Sequence, residues 1–353
     1  MPDLPYASDA EVESYVTRIA QLARDYDFYS YTIGTRLKLD LPEEQAVEVR
    51  RNLNRRVALA VADRLPDREP TPEHADITFL LDYPGHAVEP GPSAIFVYGR
   101  YCKYVRNLPQ ARWLCPHCGG KGTKHGKPCG ACNGTGKVYP ESVEEVIAPL
   151  LLAAFGAEGS KMHATGRQDV DVRMLGTGRP FALELLHPRR RAADLAALEQ
   201  QINASQAAVA VRELRVVSRG IVRLVDTARA DKSYRAVVKC ERPVSLEDLA
   251  SIEALAGVAI QQFTPTRVAH RRAEKTRLRK LKAVHARLID GPQGRFELEL
   301  LTEPGTYIKE LITSDAGRTS PSISGTLGAA CICEELDVLE VHFDPLAPPE
   351  QAK

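Results

Sequence analysis

No stretch of the 353-residue chain approaches the roughly 18 consecutive apolar residues of a membrane span, and the acidic N-terminus lacks the basic-then-apolar pattern of a signal peptide. These absences predict a cytoplasmic protein with no membrane partner. Low-complexity runs are missing too, and with 44% apolar and 26% charged residues the composition is that of a soluble globular chain, not a disordered one. No internal repeat is visible. The length exceeds what one core usually holds, so two or three folding units are expected. A net charge of +1 hides an asymmetry: residues 1–100 carry 17 Asp/Glu against 11 Lys/Arg, which leaves a basic body behind an acidic head. The asymmetry peaks over residues 267–282, where Glu274 is the single carboxylate among many cations. Such a run suits a polyanion partner, although alone it is equally a solvated helix or strand edge.

Eight cysteines are present, and four of them form Cys115-Pro116-His117-Cys118 and Cys129-Gly130-Ala131-Cys132, two CxxC pairs ten residues apart. Each CxxC turn presents two thiolates on one side of a tight loop, and two such knuckles complete a closed tetrahedral sulfur site. The zinc expected there is structural, since no position stays open for a substrate. Gly119, Gly120, Gly122, Gly134 and Gly136 let the backbone wrap around the sulfurs. Disulfides or redox thiols are the competing reading, and a cytosolic setting disfavours them. Cys102, Cys240, Cys331 and Cys333 read as small buried apolar residues. Both knuckles also fit CxxCxGxG, the repeat of the DnaJ chaperone zinc domain, but only two repeats are present and the J-domain His-Pro-Asp tripeptide is absent. A zinc deaminase is excluded because His163-Ala164-Thr165 supplies no acid/base glutamate.

Residues 10–30 and 42–64 are expected to be helical, the latter from Ala46, Val49, Leu53, Val57, Ala60 and Val61 at three- and four-residue spacing. Strands are expected over 77–83 and 94–98, so residues 1–110 read as a small α+β unit. Ser142 as N-cap with Glu145 three residues on opens a helix. Beyond residue 180, strands at 181–187, 235–239, 284–289 and 296–301 and a helix over 192–213 alternate without regular βαβ spacing. The fold class is therefore α+β, with a mixed or antiparallel sheet.

The segment Gly166-Arg167-Gln168-Asp169-Val170-Asp171-Val172-Arg173-Met174-Leu175-Gly176 reads as a loop feeding a strand. Two acids at i and i+2 would share a strand face and repel, so Asp169 is expected in the loop, free to face a cleft. Alone this is an ordinary surface loop. Its context is supplied by residues 231–238 (Asp-Lys-Ser-Tyr-Arg-Ala-Val-Val), 304–312 (Pro-Gly-Thr-Tyr-Ile-Lys-Glu-Leu-Ile) and 336–341 (Leu-Asp-Val-Leu-Glu-Val). In this order and spacing the segments resemble the motifs of pseudouridine synthases, most closely the Pus-ten family of tRNA pseudouridine 54/55 synthases. The likeness extends from Ile33-Gly34-Thr35-Arg36 through Gly99-Arg100-Tyr101, Gln110-Ala111-Arg112-Trp113 and Thr264-Pro265-Thr266-Arg267-Val268 to Gly317-Arg318-Thr319-Ser320-Pro321-Ser322, nearly the whole chain. Two features depart from the family pattern: Gln168 stands where Glu is more usual, and an N-terminal CxxC is absent.

The resemblance implies a catalytic domain over 141–353, a zinc knuckle over 111–140 and a THUMP-like RNA-binding accessory domain over 1–110. It implies that Asp169 is the catalytic aspartate, with Asp171 the runner-up. Tyr234 would stack on the flipped uracil, Tyr307 would be a second active-site aromatic, and Leu336 an apolar wall. Lys309 falls where related synthases pair an Arg or Lys with the catalytic carboxylate, so an Asp169–Lys309 ion pair is expected. The implied reaction isomerises uridine in the TΨC arm of tRNA, at position 54, 55 or both. It needs no catalytic cofactor, and the basic run would hold tRNA phosphates. A monomer is expected. The rival reading is a zinc-stabilised tRNA-binding adaptor or chaperone without catalysis.

Overall fold

The computed structural model describes residues 4–347 apart from Gln168 and Arg272, and for His270 and Arg271 the backbone alone. Gln168, one of the two departures from the family pattern, therefore lies outside the described residues. Contacts group the chain into two units whose segments interleave: Met1–Val97 with Ala148–Lys161 and Leu183–Leu195, and Tyr98–Ile147 with Met162–Ala182 and Ala196–Lys353.

In the first unit, the helix Asp9–Leu22 starts at a capping box in which Ser8 Oγ accepts from the Glu11 N–H at 3.3 Å and the Glu11 carboxylate accepts from the Ser8 N–H at 2.7 Å. The second helix, Glu43–Arg64, buries Ala46, Val49, Leu53, Val57 and Val61, the stripe expected from their spacing. Both helices pack their apolar faces against a sheet in the order 69–70, 30–37, 77–83, 87–92. The strands Ser30–Leu37 and Ile77–Tyr83 run parallel, Tyr31 opposite Ile77, because the long helix carries the chain from one to the other. Strict alternation of buried and half-buried residues along Ile77–Tyr83 puts Ile77, Phe79, Leu81 and Tyr83 in the core. Each full burial of this kind contributes about 1.5–3 kcal/mol.

The second unit is built on a ten-stranded sheet. Its order is Val209–Val217, Ile95–Lys103, Arg173–Leu186, Cys331–Val341, Lys232–Cys240, Arg295–Thr302, Arg277–Asp290, Ala259–Gln262 and Thr319–Ser320, with Gly159–Ala164 paired to Arg173–Leu186 off this path. The strand Cys331–Val341 runs parallel to Arg173–Leu186 and antiparallel to Lys232–Cys240, so the sheet is mixed and the α+β expectation holds. Ser142 caps the helix Val143–Phe155 as expected, its Oγ accepting from the Glu145 N–H at 3.3 Å. One expected element is wrong: the helix read over 192–213 spans only Leu195–Ser205, and the chain then forms the strand Val209–Val217. The alternating Val209-Ala210-Val211 seats its valines in the core at a period of two, and that burial overrides helix propensity. Among the described residues no helix is long and apolar enough to cross a membrane.

Candidate active site

The loop carrying Asp169 and Asp171 leaves Gly166 at φ +73°, a conformation few side chains tolerate, and enters the strand at Arg173. It is held from beneath by groups that satisfy its carbonyls. Lys103, 1% exposed, donates its ammonium to Leu108 O at 2.7 Å and Val170 O at 2.8 Å. Burial, reinforced by nearby Arg179, pushes that ammonium down to about 8, so its contacts to the two carbonyl oxygens help hold it there. The Asn107 N–H also donates to Val170 O, at 3.0 Å, and Arg106 Nη1 to Asp171 O at 2.9 Å and Leu336 O at 2.8 Å. Arg106 is itself fixed by Asp337, which is 1% exposed and also accepts from Arg173 and Arg235 at 2.8 Å. Burial pushes the Asp337 carboxyl up, but its hydrogen bonds to Arg173 and Arg235 and the charge of Arg106 outweigh it and hold it below the usual carboxylate range.

Above the loop lies a cleft of about 650 Å³. All five residues singled out for catalysis or substrate binding line it: Asp169, Tyr234, Tyr307, Lys309 and Leu336. They come from the loop, the strand Lys232–Cys240, the turn before the helix Ile308–Thr313, that helix, and the strand Cys331–Val341. The ion pairing differs from expectation. Lys309 Nζ lies 2.6 Å from Asp171 Oδ2, not on Asp169, and Asp169 Oδ2 meets Arg267 Nη1 at 3.1 Å. The loop turns between the two acids, with the Val172 N–H reaching back to Asp169 O at 3.2 Å, so the carboxylates face different cations. Burial raises the Asp171 carboxyl, and the hydrogen bond and charge of Lys309 more than offset this, leaving it below its ordinary value.

Arg267 is the site residue whose pairing sequence reasoning missed. The first residue of the basic run, it has its Nε on the buried Glu310 at 2.6 Å while its other arm reaches Asp169. Its Cζ stands 5.9 Å from the Tyr307 ring. The signal was present, since Arg267 and Glu310 both fall within segments that carry the family likeness, but no spacing rule pairs residues 43 positions apart. Tyr307 is set by Gln262, which accepts from its N–H at 2.9 Å and donates to its carbonyl at 3.0 Å. Burial pushes the Tyr234 hydroxyl up to about 12, against a downward pull from Arg179 and with an upward push from Asp169. Nine cations, Arg167, Arg179, Arg229, Lys232, Arg267, Arg277, Arg279, Lys282 and Lys309, line the cleft against three acids, Asp169, Asp231 and Glu303. That excess favours a polyanion. Arg277, Arg279 and Lys282 of the basic run reach it from the strand Arg277–Asp290.

Away from the cleft, the sulfurs of Cys115, Cys118, Cys129 and Cys132 all lie within 4.8 Å of one another and all four residues are buried. The Cys118–Cys132 separation is 3.8 Å, and zinc–sulfur bonds of about 2.3 Å in a tetrahedron set sulfurs about 3.8 Å apart. The donor set thus fits a closed zinc site. A Cβ at Gly136 would stand 2.3 Å from Gly120 O and one at Gly122 2.4 Å from Gly134 O, both at positive φ, so the two knuckles close only with glycine there.

The family model described as Pus10, C-terminal, matches residues 96–342. The tRNA pseudouridine synthase Pus10 of Archaeoglobus fulgidus is 41% identical over 339 residues, covering 94% of this chain and 92% of that protein. The protein of the same name from Methanocaldococcus jannaschii is 38% identical over 344 residues, covering 95% of this chain and 74% of that one. A solved Cbf5-Nop10-Gar1 complex matches with a TM-score of 0.36 and 20% identity over 56% of this chain and 44% of that one, a likeness too distant to bear on the site. On the family match and the relatives' identity, the chain belongs to the Pus10 family of tRNA pseudouridine synthases.

Proposed function

We infer that this chain converts uridine to pseudouridine in the TΨC arm of tRNA, at position 54, 55 or both, with Asp169 acting at the glycosidic bond. The observation that carries the reading is the convergence of Asp169, Tyr234, Tyr307, Lys309 and Leu336, from separate segments, on one cationic cleft. A uridine turned out of its stack enters beside Tyr234, whose ring face supports the base. Asp169 then attacks C1′ or removes a proton from the sugar as the N1–C1′ bond breaks. The base turns, C5 joins C1′ as the bond to Asp169 breaks or the sugar regains its proton, and the C5 proton leaves while N1 takes one up. Arg267 orients Asp169, and Lys309 steadies Asp171 one turn away. No cofactor is needed for a net isomerisation.

The four cysteines hold a structural zinc that stabilises the knuckle. The N-terminal residues 1–110 serve as the THUMP-like accessory unit that reads tRNA, 111–140 as the knuckle, and 141–353 as the catalytic domain. The protein works as a cytoplasmic monomer.

The test is release of tritium from 5-tritiated uridine in an unmodified tRNA transcript. Wild-type protein should release it, Asp169→Asn should lower the single-turnover rate by more than ~10³-fold while tRNA binding persists, and Asp171→Asn should retain measurable release. Release lost in Asp171→Asn and kept in Asp169→Asn would exchange the two acids; no release from any tRNA would favour a binding adaptor.

A further inference from the structure

Of the cleft cations without an ion pair among the described residues, Arg179 and Lys232 stand side by side at the Tyr234 end. Arg179 is 1% exposed, its Nη1 donates to the carbonyls of Thr165 at 2.7 Å and Gly166 at 3.3 Å, and its Nε has no hydrogen-bond partner among the described residues. Lys232 lines the same cleft with no hydrogen bond or ion pair to its ammonium among the described residues. The two converge: a Cβ built on Gly166 would stand 3.1 Å from Lys232 Nζ and 3.8 Å from Arg179 Nη1. Gly166 begins the loop that presents Asp169, and Tyr234 follows Lys232 by two residues on its strand, so both sides of the recess belong to the reacting centre.

Holding the buried Arg179 beside a second, half-buried cation is expensive, and folded proteins rarely keep such a pair without an anion to share. Burial, reinforced by Arg179, pushes the Lys232 ammonium down to about 7, which records the same mismatch. The missing anion is one that comes with the substrate. A backbone phosphate suits the exposed cations of the cleft, such as Arg167 and Arg229, better than a recess whose arginine is all but inaccessible. The group that reaches the Tyr234 end of the cleft is the everted base.

We propose that Lys232 and Arg179 form an anion recess that holds the uracil ring in its charged state between bond cleavage and bond formation. This rests on the isomerase reading above. When N1–C1′ breaks heterolytically, both electrons leave with the base, which becomes a monoanion with charge spread over N1, O2 and O4. Lys232 Nζ donates to a ring oxygen, and Arg179 supplies fixed positive potential behind it. The base turns within the recess and C5 bonds to C1′ as the Asp169–C1′ bond breaks or, on the other route, as Asp169 returns the proton to the sugar; the C5 proton is then lost and N1 regains one, so atoms and electrons balance without an oxidant. The recess serves whether Asp169 bonds to C1′ or takes a sugar proton, because the base leaves as an anion in both cases.

The experiment uses the full chain and its Lys232→Met and Lys232→Arg variants, with single-turnover tritium release at saturating enzyme and tRNA binding measured across a salt series. Lys232→Met should slow release by about 10²-fold, the scale of losing one preorganised donor to a developing anion. Its tRNA affinity and salt dependence should stay within about twofold of wild type, and Lys232→Arg should recover most of the rate. The methionine variant should fold at least as stably, since it removes an unanswered cation, and thermal melting checks this. Weaker binding with a salt slope reduced by about one and an unchanged saturating rate would make Lys232 a phosphate contact and overturn the proposal. Unchanged rate and binding would overturn it too, leaving the isomerase reading intact, whereas a wild type that releases no tritium would sink both.

Discussion

Replacing Arg267 by methionine should damage this protein in two separable ways. Arg267 bridges Asp169 at 3.1 Å and Glu310 at 2.6 Å, with the Asp169 side chain 39% exposed and that of Glu310 only 6%. Screening limits the first contact to about 1 kcal/mol of stability. The second is different, because removing the guanidinium strands a carboxylate away from water, and breaking one side of a buried pair costs about 3–5 kcal/mol. Since Arg267 is itself 37% exposed, water can follow the missing side chain, and about 2–3 kcal/mol is the expected loss. The double variant Arg267→Met/Glu310→Leu removes the stranded charge and should return to within about 1 kcal/mol of wild type, as apolar replacements of buried pairs often do. Catalysis should not return with it: Asp169 without its guanidinium loses its orientation, and the single-turnover rate should stay down by about 10–10²-fold. Urea unfolding at constant slope reads the first quantity and tritium release the second. A double variant as unstable as the single one would refute the stranded-charge argument, and one with wild-type turnover would refute the role given to Arg267.

Further outcomes follow from other contacts. Cys118→Ser should reduce bound zinc from about one equivalent per chain to a small fraction and lower the melting temperature, as measured by elemental analysis and calorimetry; undiminished zinc would remove Cys118 from the ligand set. Asp171, held below its ordinary 3.8 by Lys309 against the opposing effect of burial, contributes stability that is present above that value and lost as pH falls through its lower folded value. Asp171→Asn should therefore flatten the unfolding free energy below about pH 4, and an unchanged acid limb would show that the Lys309 pair has no net effect. Asp337→Ala leaves Arg106, Arg173 and Arg235 without their shared acceptor and should destabilise by about 3–5 kcal/mol in urea. A loss below about 1 kcal/mol would mean that water replaces the carboxylate.

Much of the architecture could be read from periodicity because burial was one-sided. Along Glu43–Arg64 only one face meets the sheet, so its apolar stripe marked the element closely. Ile77–Tyr83 alternates cleanly for the same reason. The reading failed between residues 206 and 213, where alanines and alternating valines satisfy helical spacing and strand spacing alike. Tertiary pairing at the edge of the large sheet decided the matter, and no local rule contains that information.

At the site, the family resemblance carried by several short segments in one order named the five residues that line the cleft; the residue types alone would have left each an ordinary surface or core position. The partners of those residues were not legible. Lys309 and Arg267 are both cations and Asp169 and Asp171 are both aspartates, so chemistry permits either pairing; the turn that returns the Val172 N–H to Asp169 O decides it. The buried charges were harder still. Lys103 and Arg179 sit in apolar strand sequences where a cation reads as surface, yet they lie at 1% exposure beneath and beside the reacting loop. A charge kept there against its desolvation penalty must answer either a backbone carbonyl or an incoming anion. Lys103 answers two carbonyls, whereas Arg179 answers Thr165 and Gly166 through Nη1 and leaves its buried Nε without a partner among the described residues, which is why an incoming anion is the ligand proposed for it.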